Sequence, residues 1–199
     1  METIGIIGAG GIGMAFAKHA SKAGYSLILS NRRGPESLTD KLKELSGNVI
    51  AGTLLEAANA GVVFLSVPWK FIPDVVSAVS SWKDRLVIDA TNPIIMPGLK
   101  TAELHGKVSS EVVAELLPGA RLVKAFNTYP TALLEADPHT SGGRRLMAYS
   151  GNDAEAKKIV ATIIEKMGFA GIDLGKLNEG GKLQHYPGGA LLPFNLIAI

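Results

Sequence analysis

Gly8-Ala9-Gly10-Gly11-Ile12-Gly13 carries the GxGxxG spacing. It follows a β-branched run, Ile4-Gly5-Ile6-Ile7, and opens a stretch in which Ile12, Phe16 and Ala20 recur every four residues. A glycine string alone says little, but strand, glycine turn and helix in that order are what a phosphate-binding turn requires. The first glycine permits the tight turn, the second lets a diphosphate approach the main chain, and the third lets the helix lie close to the strand. Free amides and the positive end of the helix dipole then face the anion, the dipole alone contributing about 0.3–1 kcal/mol at an exposed site. A turn that binds nothing is the alternative, and the flanking elements weigh against it.

The residues after the second apolar run select among dinucleotides. About 20 residues past such a motif, an NAD enzyme presents Asp or Glu to the ribose hydroxyls. Here stand Ser30, Asn31, Arg32 and Arg33, with no carboxylate. A 2′-phosphate would be stabilised by the guanidinium groups, each charge-assisted hydrogen bond contributing about 1.5–3 kcal/mol. NADP(H) is therefore expected over NAD(H), unless Arg32 and Arg33 merely solvate a turn.

Three further apolar runs end in proline punctuation: Ser66-Val67-Pro68-Trp69, Ala90-Thr91-Asn92-Pro93 and Asn127-Thr128-Tyr129-Pro130. Each X-Pro step stops a strand and keeps the preceding residue extended. In a doubly wound sheet these ends border the ligand crevice. There Thr91, Asn92 and Asn127 would offer hydrogen bonds to a nicotinamide amide or a second ring, and Trp69 would cover an aromatic ligand. The plainer alternative is that the prolines only terminate strands and Trp69 belongs to the core. The acid–base inventory is thin. His19 lies on the first helix and is expected at the surface, His139 and His185 fall in expected loops, and His105 stands apart. His185 is within reach of the crevice. No metal-ligand spacing and no Ser-His-Asp set is present. A hydride passed directly between two bound redox rings needs orientation more than proton transfer.

The elements that must hold these residues alternate. Strands are expected at 4–7, 27–30, 49–51, 62–65, 86–89, 122–125, 145–149 and 171–174, and helices at 11–23, 35–45, 54–59, 71–79, 110–117 and 153–167. A loop containing Pro97 and Gly98 follows the fifth strand. Near-continuous apolar strands alternating with helices indicate an α/β, doubly wound parallel sheet covered on both faces, the Rossmann arrangement. Residues 1–177 form the expected nucleotide-binding domain with its second-cofactor cleft. Residues 178–199, a Gly-rich loop over 178–189 and an apolar tail, are expected to belong to the same domain.

The chain has 199 residues, 47% hydrophobic and 19% charged, which suits one globular domain burying roughly 70% of its unfolded surface. The absence of cysteine excludes disulfides, Cys-ligated metals and a thiol nucleophile. The net charge of +2 is scattered, so no nucleic-acid footprint is expected. No basic n-region follows Met1, and no apolar run reaches the ~20 residues of a membrane span, so a cytoplasmic location away from membranes is expected.

The blocks GIIGAGGIG, SNRRGPESL, SVPWKFIPDVV, DATNPI, SSEVVAELLPGARLVKAFNTYP, GNDAEAKK and GFAGIDLGKL resemble, in order, those of the NADPH-dependent reductases of coenzyme F-420, an 8-hydroxy-5-deazaflavin. The cytosolic NADPH:flavin part of membrane ferric reductases is similar. The resemblance runs from Thr3 to beyond Leu177. It implies diphosphate binding by Gly8 to Gly13, 2′-phosphate contacts from Ser30, Arg32 and Arg33, and nicotinamide contacts near Val67, Pro68 and Asn92. It also implies a deazaflavin, or alternatively FMN or FAD, lying over the nicotinamide and bounded by Asn127 and the C-terminal loops. Archaeal members carry a hydroxyl residue where Ala9 stands and a histidine where Asn127 falls. The family tends to form homodimers, and the apolar tail would pack either on a partner subunit or on its own domain.

Three functions compete. The first is an NADPH-dependent oxidoreductase exchanging hydride with a deazaflavin or flavin-type small-molecule co-substrate. The second is an NADP-dependent dehydrogenase of a small substrate, of the β-hydroxyacid or imine type. That class uses an additional helical domain of well over 100 residues, and about 22 residues follow Leu177. The third is a non-enzymatic NADPH-binding sensor.

Overall fold

The computed structural model describes residues 3–191 and 194–199. Met1, Glu2, and the tail residues Leu192 and Pro193 lie outside the described residues.

The chain alternates as its apolar pattern demands: β1 (Thr3–Ile7), α1 (Gly11–Lys22), β2 (Ser26–Ser30), a 3-10 turn (Pro35–Leu38) running into the short α2 (Thr39–Leu42), β3 (Val49–Ala51), α3 (Leu54–Ala58), β4 (Val62–Leu65), a 3-10 turn (Trp69–Phe71) running into α4 (Ile72–Ser77), and β5 (Leu86–Asp89). A hairpin of β6 (Ile94–Ile95) and β7 (Lys100–Thr101) follows, then α5 (Ser109–Leu116), β8 (Arg121–Ala125), α6 (Thr131–Glu135), β9 (His139–Thr140), β10 (Gly143–Gly151), α7 (Ala154–Lys166), β11 (Ala170–Asp173), α8 (Leu177–Leu183) and β12 (Ile197–Ala198).

The main sheet runs β11-β10-β8-β5-β4-β1-β2-β3. From β1 the chain goes outward through β2 and β3, then returns to place β4 on the opposite side of β1. The strand order therefore reverses between β1 and β4, and the crevice beyond their carboxyl ends is the switch point. Helices α1 and α7 cover one face. Phe16 of α1 stacks on Phe64 of β4 with centroids 3.8 Å apart, and Phe126 meets both rings edge-on. Helices α3, α4 and α5 cover the other face around Val63, Val87 and Trp82. Both faces are buried, which is why β1, β4 and β5 read as near-continuous apolar runs rather than alternating ones, with Thr3 and Asp89 at strand ends.

The α/β doubly wound arrangement is as expected, with a mostly parallel sheet in which β10 runs antiparallel to β8, pairing Tyr149 with Ala125 and Gly151 with Val123. Several finer expectations are corrected. The helix expected over 35–45 is regular only at Thr39–Leu42, because beyond it Glu44 and Leu45 donate to carbonyls three residues back. Its leucine stripe still works, with Leu38 fully buried and Leu42 and Leu45 against the core. The loop expected at Pro97 and Gly98 is the turn of the β6–β7 hairpin, whose two short strands were not expected. The loop expected over 178–189 contains α8. Its glycines are there for close packing: a Cβ on Gly180 would lie 2.6 Å from Ser150 Cβ, and one on Gly181 would lie 2.7 Å from Ser110 Oγ. The end of the apolar tail pairs with its own sheet, Ile197 with Arg145 and Ala198 with Arg144. Among the described residues, no helix is long and apolar enough to cross a membrane.

Candidate dinucleotide and acceptor site

The glycine turn is built from the ends of three strands. Gly8 adopts φ 111°, and a Cβ there would lie 2.4 Å from the Ser66 carbonyl oxygen. The Gly8 amide donates to Ser30 O at 3.0 Å, and the Ser66 hydroxyl donates to Gly8 O at 2.8 Å. A Cβ on Gly13 would lie 1.9 Å from Gly8 O, so α1 packs directly on the turn. Gly10 differs from both. It has an ordinary φ of −80°, and a Cβ built on it meets no atom within 4 Å. Gly10 is also the residue preceding α1, no side chain caps the helix there, and no acidic residue occupies its first turn. Open space in front of uncapped amides is what a diphosphate needs.

A cavity of about 370 Å³ extends from Gly8, Ala9 and Gly10 to Arg32 and Arg33, floored by Val67, Pro68 and Phe71. Its loop is pre-shaped. The Asn31 carboxamide accepts from the Arg33 amide at 2.8 Å and donates to Ser37 Oγ at 2.9 Å, and Gly34 turns the chain at φ 90°. Arg32 lies over the Phe71 ring, 4.6 Å from its centroid, an arrangement that restrains the guanidinium without neutralising it. Both arginines are exposed. Ser30 is fully buried and its hydroxyl donates to Ile6 O at 2.9 Å, so that proton serves the sheet. Lys41 of α2, which the sequence reading did not single out, donates to the Ala9 carbonyl and sets a third cation on the glycine turn.

Two cavities continue the trough. One, about 340 Å³, begins at Gly10, Gly11 and Ile12, and is lined by Val67, Pro68, Trp69, Thr91 and Asn92. The next, about 240 Å³, shares Ile12 and Asn92 with it and reaches Asn127 and Tyr186. Of the residues expected to bind the cofactor, Gly13 lies off these linings, held beneath the turn, and His185, expected within reach of the crevice, lines none of the three cavities. Trp69 divides its role, lining the second cavity while packing against the core. Thr91 is buried, and its hydroxyl donates to Asp89 Oδ1 at 2.7 Å. Asn127 is buried and donates through Nδ2 to Asn92 Oδ1 at 2.9 Å and to Gln184 O at 2.7 Å.

The two acceptor-side cavities carry no carboxylate, imidazole or amine among their described lining residues. Tyr129, which lines the third, donates its phenol to Leu146 O at 2.6 Å, and burial pushes its pKa up. His185 follows Gln184, and burial, reinforced by the Lys124 charge, pushes its pKa down. His19 is not at the surface as expected. It is buried, its Nε2 lies 2.8 Å from Leu134 O, and its ring meets Phe169 edge-on, because α6 packs across α1 there. His139 sits in β9 rather than a loop. Among the described residues, no group of three His, Asp or Glu is placed to hold a metal.

The residues present fit a phosphorylated dinucleotide. They offer uncapped amides facing open space, exposed arginines at the expected distance along the chain, and a trough that continues past the turn. Comparison with known proteins agrees with the fold. Residues 3–93 match the model of the family NADP oxidoreductase, coenzyme F420-dependent. The crystal structure of the hypothetical protein SMa0349 from Sinorhizobium meliloti is 43% identical, covering 100% of this chain and 97% of that one, with a TM-score of 0.94. An Arthrobacter sp. FB24 protein classed as a candidate F420-dependent NADP-reductase is 22% identical, covering 97% of this chain and 90% of that one, with a TM-score of 0.76. Metalloreductase STEAP3 of Rattus norvegicus is 24% identical over 184 residues, which is 92% of this chain and 36% of that protein. The chain thus spans about a third of the length of that curated relative.

Proposed function

We propose that this chain, which belongs to one family with SMa0349 and matches over residues 3–93 the family of coenzyme F420-dependent NADP oxidoreductases, is an enzyme that moves hydride between NADP(H) and a planar redox acceptor of the deazaflavin or flavin type. The observation that carries this reading is the succession of three cavities with shared lining residues, from Arg32 and Arg33, past Gly10, to Asn92 and Asn127. In it the amides around Gly10 and Gly11 would hold the diphosphate, and Arg32 and Arg33 the 2′-phosphate. Val67, Pro68 and Asn92 would border the nicotinamide, and Asn127 and Tyr186 the acceptor. The bound dinucleotide supplies the hydride donor. The protein's own contribution is alignment and exclusion of water, since the acceptor-side linings hold no charged acid or base. Apart from the phenols of Tyr129, which is engaged by Leu146 O, and Tyr186, that inventory offers nothing to deliver a proton, which favours ring-to-ring transfer over reduction of a small carbonyl or imine.

The test is NADPH oxidation against a panel of deazaflavin, FMN, FAD, quinones and ferric chelates. Saturable turnover with one tricyclic acceptor supports the proposal and names the co-substrate. Negligible rates with every acceptor, alongside tight NADPH binding, refute it in favour of a sensor.

A further inference from the structure

Asp89, at the end of β5, and Lys124, in β8, are register partners on adjacent parallel strands. Their side chains are 0% and 1% exposed, and Nζ stands 3.0 Å from Oδ2. A buried ion pair is a poor stabiliser, because desolvation of both charges offsets most of their attraction and two apolar side chains would hold the sheet as well. Burial pushes the Lys124 pKa down, and the attraction of Asp89 opposes that shift.

Much of the pair's remaining hydrogen bonding goes to one residue. Asp89 Oδ1 accepts from the Thr91 amide at 2.9 Å and from the Thr91 hydroxyl at 2.7 Å, and Lys124 Nζ also donates to the Thr91 carbonyl. All three polar groups of Thr91 are thereby held by two opposite charges. Thr91 leads directly to Asn92, whose carboxamide exchanges hydrogen bonds with Asn127, donating to its carbonyl at 3.0 Å and accepting from its Nδ2 at 2.9 Å. Gln184, fully buried at the end of α8, closes the frame. Its Nε2 donates to Lys124 O at 3.2 Å and to Ala148 O at 3.1 Å, and its carbonyl accepts from Asn127.

We propose that Asp89 and Lys124 are positioning residues that fix Thr91, and through it Asn92 and Asn127, so that the nicotinamide half of the dinucleotide is held while the adenosine half is not affected. This rests on the dinucleotide reading above. The adenosine end of the trough is built on the ends of β1 and β2, the Arg32 loop and the segment after β4, and the hydrogen bonds of the Asp89 and Lys124 side chains go to each other and to Thr91 rather than to that lining. The frame therefore discriminates between the two halves of one ligand.

The experiment compares affinity for NADPH with affinity for adenosine 2′,5′-bisphosphate, which carries the 2′-phosphate but no nicotinamide. The variants are Asp89→Leu combined with Lys124→Met, which removes both charges and every bond from the pair to Thr91 while keeping the side-chain branching at position 89, and Thr91→Val, which removes only the hydroxyl bond. The double variant is expected to lose tenfold or more in NADPH affinity while binding the bisphosphate within twofold of the native protein. Thr91→Val is expected to shift the same ratio in the same direction by a smaller factor. Equal losses for both ligands, or no loss for either, overturn the positioning role. Should the double variant fail to fold, Thr91→Val decides alone: an unchanged ratio overturns the proposal. Failure of the native protein to bind either ligand is a different result, and it refutes the dinucleotide reading itself.

Discussion

Gly10→Ala separates what the glycine turn does for the fold from what it would do for a ligand. The three motif glycines are alike in sequence and unlike in space. A Cβ at Gly8 or Gly13 would lie 2.4 or 1.9 Å from a backbone oxygen, whereas at Gly10 nothing stands within 4 Å. The backbone at Gly10, φ −80° and ψ −169°, suits alanine. Restriction of the unfolded chain by Gly→Ala contributes about 0.4–1 kcal/mol, and the preference of a helix N-cap for glycine over alanine, also about 1 kcal/mol, offsets it. In a domain of this size, the Tm therefore stays within about 4 °C of the native value. The methyl would occupy the space a diphosphate must enter. Loss of one charge-assisted hydrogen bond at about 1.5–3 kcal/mol weakens NADPH binding by about 10- to 150-fold. Differential scanning fluorimetry without ligand and titration of NADPH by calorimetry read the two effects separately. Gly13→Ala, by contrast, is expected to lower Tm sharply. The reasoning is refuted if Gly10→Ala binds NADPH as the native protein does, or if it melts as low as Gly13→Ala.

Arg32→Ala is expected to lower NADPH affinity about 10- to 150-fold while leaving NADH affinity nearly unchanged, because only the phosphorylated ribose would lose a charged partner. Parallel titrations with the two nucleotides check this, and equal losses would remove Arg32 from cofactor selection. Burial holds the His19 pKa below its ordinary 6.5, with the backbone bond to Leu134 opposing the shift. The unfolded chain therefore takes up this proton first as pH falls, and stability is lost progressively below about pH 6.5. Melting temperatures across pH 5–8 should show a shallower fall for His19→Gln, whose amide can still donate to the Leu134 carbonyl; identical slopes would count against His19.

The apolar runs of β1, β4 and β5 and the uneven roles inside the glycine turn show where local reading works and where it stops. Those strands were legible because both faces are buried, leaving polar residues only at a strand end, Thr3 in β1 and Asp89 in β5. Helix α8 was not legible: Gly180 and Gly181 carry a loop composition, and their packing against Ser150 and Ser110 involves segments 30 and 71 residues away in the chain. Lys124 was a signal available but unread, a charge inside the apolar run Leu122-Val123-Lys124-Ala125 that asked for a buried partner. That partner, Asp89, is 35 positions distant.

By itself, the sequence determined the features governed by short-range rules. Glycine spacing between a strand and a helix specifies a turn with free amides, proline ends a strand, and apolar periodicity assigns most elements, because each depends on backbone sterics and burial within a few residues. Tertiary structure decided the rest. Strand order placed the Arg32 loop, Gly10 and Asn92 along one trough, the reversal of β10 set the far side of the sheet, and the fold chose which glycine is crowded and which faces open space. These depend on atoms brought together from distant parts of the chain, and no local pattern specifies which distant atoms those are.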